Sequence, residues 1–293
     1  MKSKLAGILI LLLVAIVAVG GVGVYLYAKD AAQTTESQAD QLADDDDGWE
    51  DGSDTNMAPG AEHVYSHRGA SGEAPEHTFQ AYDLAIEEGS INIEQDLVIS
   101  ADGTLYVAHD RNARALTGVD KEYNEMTNEE IDELRTHGGD RILKLSEVFD
   151  RYGQDVNYII ELKKRDDATV AAFKEIVDQY QMADNVVVQC FSLSILEDLD
   201  ECYPDMPKLY LVDNQKALEE GLDKTYVDII GANKKLMTAE NVDAVHEASK
   251  DFAAWVLDTE DEIKEAIDLN VDEYFTNYTS RALEIEKEYR NEN

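Results

Sequence analysis

The sequence is short of cysteine and of positive charge, and each shortage excludes something. Two cysteines in 293 residues cannot build a disulfide-rich scaffold or a four-thiolate zinc site. Against 63 Asp and Glu stand only 25 Lys and Arg, a net charge of −38. A surface that acidic repels phosphate backbones, so no nucleic-acid partner is expected. What is present is a hydrophobic fraction of 44%. That is enough for a sizeable core, and it excludes a globally disordered chain. At roughly 150 residues per domain the length allows one or two domains, and a single α/β barrel can use most of it.

Leu5 to Ala28 carry no charge before the acidic stretch begins. An apolar run of that length spans a bilayer as a helix, for which about 20 residues are needed. Lys2 and Lys4 precede it, which puts the N-terminus in the cytoplasm and the remainder outside. A cleaved signal peptide is the alternative, but its apolar region is shorter and its exit is lined by small residues. Here Tyr25, Leu26 and Tyr27 crowd the exit, so residues 1–28 read as an uncleaved signal anchor. No cysteine lies near the segment, which excludes a lipoprotein anchor. Residues 29–62, with the run Asp44-Asp45-Asp46-Asp47, read as a disordered, self-repelling linker. The run lacks the alternating ligands and glycine of a calcium loop.

From His63 to Asn293 short apolar runs alternate with amphipathic stretches. The runs predict nine strands: Val64–His67, Ile91–Ile99, Thr104–His109, Asn157–Glu161, Val186–Phe191, Leu209–Val212, Asp228–Gly231, Phe252–Leu257 and Glu273–Thr276. Most are followed by a helical period, clearest in Val170, Phe173, Val177 and Tyr180, which implies parallel strands with helices outside. Thr127 with Glu130 makes a capping box, and Gly153 ends a short helix. No helix fits between Asp96 and Thr104, and a parallel crossover needs about a dozen residues or more. Leu97–Ala108 therefore reads as a hairpin turning at Asp102-Gly103. Without that arm eight strands remain, so residues 63–293 are expected to form a (β/α)8 TIM barrel with a hairpin extension after the second strand. Chemistry in such a barrel sits at the carboxyl ends of the strands.

Polar residues break the apolar pattern at those ends. Glu94 and Asp96 are two apart on one strand and share a face. Glu161 ends the next parallel strand. One isolated Glu-x-Asp on so acidic a chain is by default a surface feature, but three converging carboxylates need a cation. Oxygen-only ligands suit Mg²⁺ or Ca²⁺. His67 and His109 end strands and can serve as a general base and a general acid. His63, His137 and His246 fall in linker, loop and helix and are assigned no function. Arg68 and Lys163 would bind a phosphate and stabilise charge in its transition state. Together the set suits metal-assisted phosphodiester cleavage.

In this order the residues resemble the glycerophosphodiester phosphodiesterase family. The resemblance is carried by His67-Arg68-Gly69 through Glu76-His77-Thr78, by Ile93-Glu94-Gln95-Asp96, by Val107-Ala108-His109-Asp110 and by Ile160-Glu161-Leu162-Lys163. Weaker matches are Val188-Gln189-Cys190-Phe191-Ser192, Ala254-Trp255-Val256 and Tyr274-Phe275-Thr276-Asn277-Tyr278. The resemblance implies a (β/α)8 fold, His67 and His109 as the acid–base pair, and Glu94, Asp96 and Glu161 as ligands of a divalent cation. It further implies Arg68 and Glu76 at the phosphate end, Lys163 on phosphate, and Trp255 either against the glycerol, framing the mouth, or in the core. The implied reaction is attack by the glycerol 2-hydroxyl on phosphorus, then hydrolysis of the cyclic phosphate to glycerol 3-phosphate and a free alcohol. Two departures stand out. His77 replaces a usual Asn, with an expected effect on a helix cap or pocket rim. Asn277-Tyr278-Thr279 lacks a usual Asp or Pro. Neither is expected to touch the metal or acid–base residues.

Cys190 at a strand end and Cys202 after the following helix are separated by roughly 15 Å at 1.5 Å per residue, so two buried free thiols are expected. The resulting expectation is a membrane-tethered hydrolase with its barrel outside the cell, acting on small glycerophosphodiesters or on envelope glycerol-phosphate polymers. The alternatives are a barrel phospholipase of the phospholipase D or phosphoinositide phospholipase C type, and a surface module without turnover.

Overall fold

The computed structural model describes residues 58–163 and 166–292. The signal anchor expected over 1–28 and most of the linker expected over 29–62 lie outside the described residues. Among the described residues no helix is long and apolar enough to cross a membrane. Packing begins slightly before the expected boundary at His63: Ala61–His63 forms a 3₁₀ turn, and Ala61 is buried.

The strands are β1 (Val64–Ser66), β2 (Asn92–Ile99), β3 (Leu105–Val107), β4 (Asn157–Leu162), β5 (Val186–Cys190), β6 (Lys208–Val212), β7 (Ile229–Asn233), β8 (Asp251–Trp255) and β9 (Glu273–Thr276). Around the sheet the order is β1-β9-β8-β7-β6-β5-β4-β2-β3, and a β1–β2 pairing closes it. Every pairing is parallel except β2 with β3. The barrel thus has eight parallel strands, and β3 is the expected returning arm. Leu97 pairs with Val107 and Ile99 with Leu105. The turn closes with Gly103 N–H donating to Ser100 O at 3.1 Å. Ala108 N–H then donates to Asp96 O at 2.9 Å, which sets His109 beside the end of β2.

The helices are α1 (Phe79–Glu87), α2 (Arg114–Thr117), α3 (Asn128–Glu133), α4 (Leu145–Tyr152), α5 (Asp167–Tyr180), α6 (Leu193–Asp200), α7 (Gln215–Leu222), α8 (Ala239–Glu247), α9 (Glu260–Asp268) and α10 (Thr279–Glu292). Their starts follow local chemistry. Thr127 and Thr259 each build a capping box, with Glu130 and Glu262, and such a cap contributes about 1 kcal/mol. All eight residues of β2 are buried, as expected of a strand with barrel interior on one side and helices on the other. Tyr65, Ile159, Leu209, Ile229, Ala253 and Phe275 fill the interior. Gly231 makes that filling possible, because a Cβ there would lie 2.3 Å from Leu209 Cδ2. A separate cluster of Val98, Tyr106, Tyr123, Met126, Ile131 and Ile142 seats the β3 arm against its following segments.

Neither cysteine forms a disulfide, as expected, but only Cys190 is buried. Cys202 is exposed, and Lys174 Nζ lies 2.8 Å from its Sγ. The expectation of two buried thiols is corrected by its position: it follows the last turn of α6, beyond the face that packs on the sheet.

Candidate active site

Strand register assembles the site. Asp96 pairs with Glu161 across β2 and β4, and Glu161 pairs with Gln189 across β4 and β5. Partners in register share a face, and so do residues two apart. Glu94, Asp96, Glu161 and Gln189 therefore all point into the mouth. They line a cavity of about 190 Å³ together with His67, Arg68, His109 and Lys163. The opposite wall is apolar: Phe191, Leu211, Trp255, Val256 and Phe275. Trp255 is held there by its Nε1–H donating to Gly231 O at 2.8 Å, with its ring edge-on to Phe191. Glu76 does not line this cavity. It holds the Arg68 guanidinium at 2.8 Å and faces an adjoining cleft with His109 and Asp110.

The loop after β1 aims two groups at once. Arg68 lies in the left-handed region at φ 59° and Gly69 at φ 82°. A Cβ on Gly69 would sit 2.6 Å from the Ala81 backbone, so only glycine lets the loop close on α1. In that conformation Arg68 N–H donates to Glu94 Oε2 at 2.9 Å. Gln189 Nε2–H donates to Glu94 Oε1 at 2.9 Å.

His67 Nδ1 lies 2.7 Å from Asn277 Oδ1. Asn277 is itself fixed by Asp258, which accepts from Asn277 N at 2.9 Å and from Nδ2 at 2.8 Å. With Nδ2 committed to a carboxylate, Oδ1 must accept, so Nδ1 carries the proton and Nε2 keeps its lone pair. Burial, and then the Arg68 charge, push His67 down to about 4, so the ring is neutral near pH 7. His109 is half-exposed, with Nδ1 3.0 Å from Asp110 Oδ1. Burial and the Lys163 charge lower its value.

The three carboxylates are neutralised unevenly. Lys163 Nζ lies 2.9 Å from Asp96 Oδ1 and 2.6 Å from Glu161 Oε2, so it bridges two of the acids it was expected to leave for a metal. Among the described residues no group of three or more His, Cys, Asp and Glu side chains is arranged as a metal cage. The donor set nevertheless fits a hard cation. Among the described residues, the three buried carboxylates face two cations, Arg68 and Lys163. Burial pushes Glu161 up to about 7, with Lys163 opposing. Burial and the Asp96 charge push Glu94 well above its usual range. Among the described residues, the cavity-lining Gln189 also keeps a buried Oε1 without a hydrogen-bond partner.

Both sequence departures touch the site, contrary to expectation. The cap of α1 is Thr78, which accepts from Ala81 N–H at 3.2 Å, so His77 does not disturb it. His77 instead places Nε2 2.9 Å from Asp96 Oδ2, and Asn277 orients His67. Gln189 was also missed. The Glu161–Gln189 register could have pointed to it, whereas nothing local to His77 signals its reach to Asp96.

An eight-stranded barrel with acids, imidazoles and cations at its carboxyl end carries the groups that phosphodiester hydrolysis calls for. The model of the glycerophosphoryl diester phosphodiesterase family matches residues 67–281. A glycerophosphodiester phosphodiesterase of Bacillus subtilis (strain 168) is 27% identical over 254 residues, covering 76% of this chain and 86% of that protein. A glycerophosphodiester phosphodiesterase structure from Agrobacterium tumefaciens superposes with a TM-score of 0.66 at 24% identity, over 77% of this chain and 99% of that one. A phosphodiesterase from Oleispira antarctica, solved with the product sn-glycerol-3-phosphate, gives 0.70 at 22% identity over 76% and 96%. The chain belongs to the glycerophosphodiester phosphodiesterase family and is an enzyme of the phosphoric diester hydrolase class.

Proposed function

We propose that the enzyme converts glycerophosphodiesters to glycerol 3-phosphate and an alcohol by paired histidine acid–base chemistry. The observation that carries this is His67 at the edge of the carboxylate-lined cavity, its Nδ1 2.7 Å from Asn277 Oδ1, a contact that leaves the Nε2 lone pair as the base. His67 takes the proton from the glycerol 2-hydroxyl, and that oxygen attacks phosphorus. Arg68 and Lys163 bind the phosphate oxygens. Their charge then no longer bears fully on His109, which regains basicity and protonates the departing alcohol. Water opens the cyclic phosphate with the two roles exchanged, yielding glycerol 3-phosphate. Glu94, Asp96 and Glu161 would hold a divalent cation, Mg²⁺ or Ca²⁺. Bound there, it supplies Lewis-acid stabilisation of charge on the phosphate. With such a cation on the carboxylates, Lys163 would be available to the substrate phosphate.

A cavity of about 190 Å³ favours small glycerophosphodiesters, such as deacylated phospholipids, over a polymer chain threaded through the mouth. Lys2, Lys4 and the apolar run that follows support a barrel tethered on the outer side of the cell membrane. The test is hydrolysis of glycerophosphocholine with and without a chelator, using the wild type and the His67→Ala and His109→Ala variants. Choline and glycerol 3-phosphate should form, the chelator should stop the reaction, and each variant should lose on the order of 10²–10⁴-fold in rate. Full activity in either variant refutes the acid–base assignment. Phosphocholine as product indicates the phospholipase C type, and no turnover indicates a binding module.

A further inference from the structure

The least expected contact of the site is that of His77. The residue stands in the left-handed region at φ 56°. Its N–H donates to Arg68 O at 3.1 Å, and it is only 3% exposed. Its ring does not line the cavity; it lies behind Asp96. Nε2 is 2.9 Å from Asp96 Oδ2, and Nδ1 is 3.0 Å from the hydroxyl of Tyr82, a fully buried residue of α1. The donor directions follow. An ionised carboxylate can only accept, so Nε2 carries the proton. In an uncharged imidazole Nδ1 must then accept, so the Tyr82 hydroxyl donates to it. Every member of the Tyr82–His77–Asp96 chain has one role.

The chain of bonds discriminates between the two oxygens of Asp96. Oδ2 is held by His77, with Arg68 Nε at 3.4 Å. Oδ1 is left toward Glu161, where the Lys163 ammonium now sits at 2.9 Å. The group between the two acids in this structure is thus itself a cation. We propose that His77 is a positioning residue: backed by Tyr82, it ties down Asp96 Oδ2 and so presents Oδ1 to the divalent cation. This rests on the cation reading given above. An imidazole that donates its second N–H to a carboxylate ligand restricts that ligand's rotation before the ion arrives, and outer contacts of this kind contribute about 10–100-fold to metal affinity.

The experiment titrates Mg²⁺ and, separately, Ca²⁺ into the metal-stripped full-length chain by calorimetry, with thermal melting of each variant alongside. His77→Leu removes the donor. His77→Gln keeps an amide N–H at about the reach of Nε2, and both variants carry the same backbone strain at a positive φ. The Leu variant should bind the cation about 10–100-fold more weakly, and the Gln variant should recover most of that loss. Tyr82→Phe, which unpins the ring from behind, should fall between the wild type and the Leu variant. The proposal is overturned if the Leu variant binds as tightly as wild type, or if Gln and Leu are equally impaired. Should the Leu variant fail to fold, an unchanged affinity in Tyr82→Phe overturns it. A wild type that binds neither cation removes the metal reading itself, and the positioning role with it.

Discussion

Asn277→Leu is the sharpest perturbation of the acid–base half of the site. It deletes the oxygen that accepts from His67 Nδ1–H at 2.7 Å and that Ser71 Oγ approaches at 2.8 Å. The backbone N–H of residue 277 keeps its bond to Asp258 at 2.9 Å, so the loop retains an anchor. Leaving a ring N–H of a half-buried imidazole without its partner costs about 1–3 kcal/mol. At 1.36 kcal/mol per tenfold in rate, that is a loss of roughly 5–150-fold in the productive tautomer and orientation. The assay is initial-rate hydrolysis of glycerophosphocholine, with the loss expected in kcat and little change in KM. If Asn277 works only through His67, the double variant with His67→Ala should be no slower than His67→Ala alone, a coupling as large as the whole Asn277 effect. Independent multiplication of the two losses would refute the orienting role.

Lys163→Met leaves the Asp96 and Glu161 carboxylates buried without their shared ammonium, a loss of about 3–5 kcal/mol. Urea unfolding should show the deficit in chelator and a smaller one with Mg²⁺ or Ca²⁺ present. Glu273, at the opposite end of the barrel, is pushed from 4.5 up to about 8 by burial and by the Asp251 and Asp272 charges. As pH rises through that interval the unfolded chain has given up the proton that the folded chain still holds, so this group's contribution to stability falls. Glu273→Gln should flatten the fall, and its advantage over wild type should grow by about 4 kcal/mol between about pH 5 and about pH 9 in urea midpoints. Maleimide followed by intact mass should add one label to the native protein, on Cys202, and two after unfolding. A 190–202 bridge would contradict both the topology and the exposure.

The barrel was legible because its signals are local. Parallel strands covered on both faces read as short apolar runs, helices between them keep a 3.6 period, and the absence of room for a crossover after Asp96 marks β3 as an arm. The same locality exposed Glu94 and Asp96, His67 and His109, Glu161 and Lys163, because polar residues stand out at the ends of apolar strands. Glu76 was placed with the phosphate, whereas in the structure it serves Arg68 from an adjoining cleft.

Strand periodicity and terminal polarity, both properties of neighbouring residues, were enough to determine from sequence alone that this chain closes a (β/α)8 barrel with an acid- and imidazole-lined mouth. Which partner each of those groups takes was decided only in three dimensions. His67 meets Asn277 from 210 positions away, Glu94 meets Gln189 from 95, and a backbone turned to positive φ swings His77 behind Asp96. Hydrogen bonds act over about 3 Å, and such distances between residues far apart in the chain exist only once the barrel has closed.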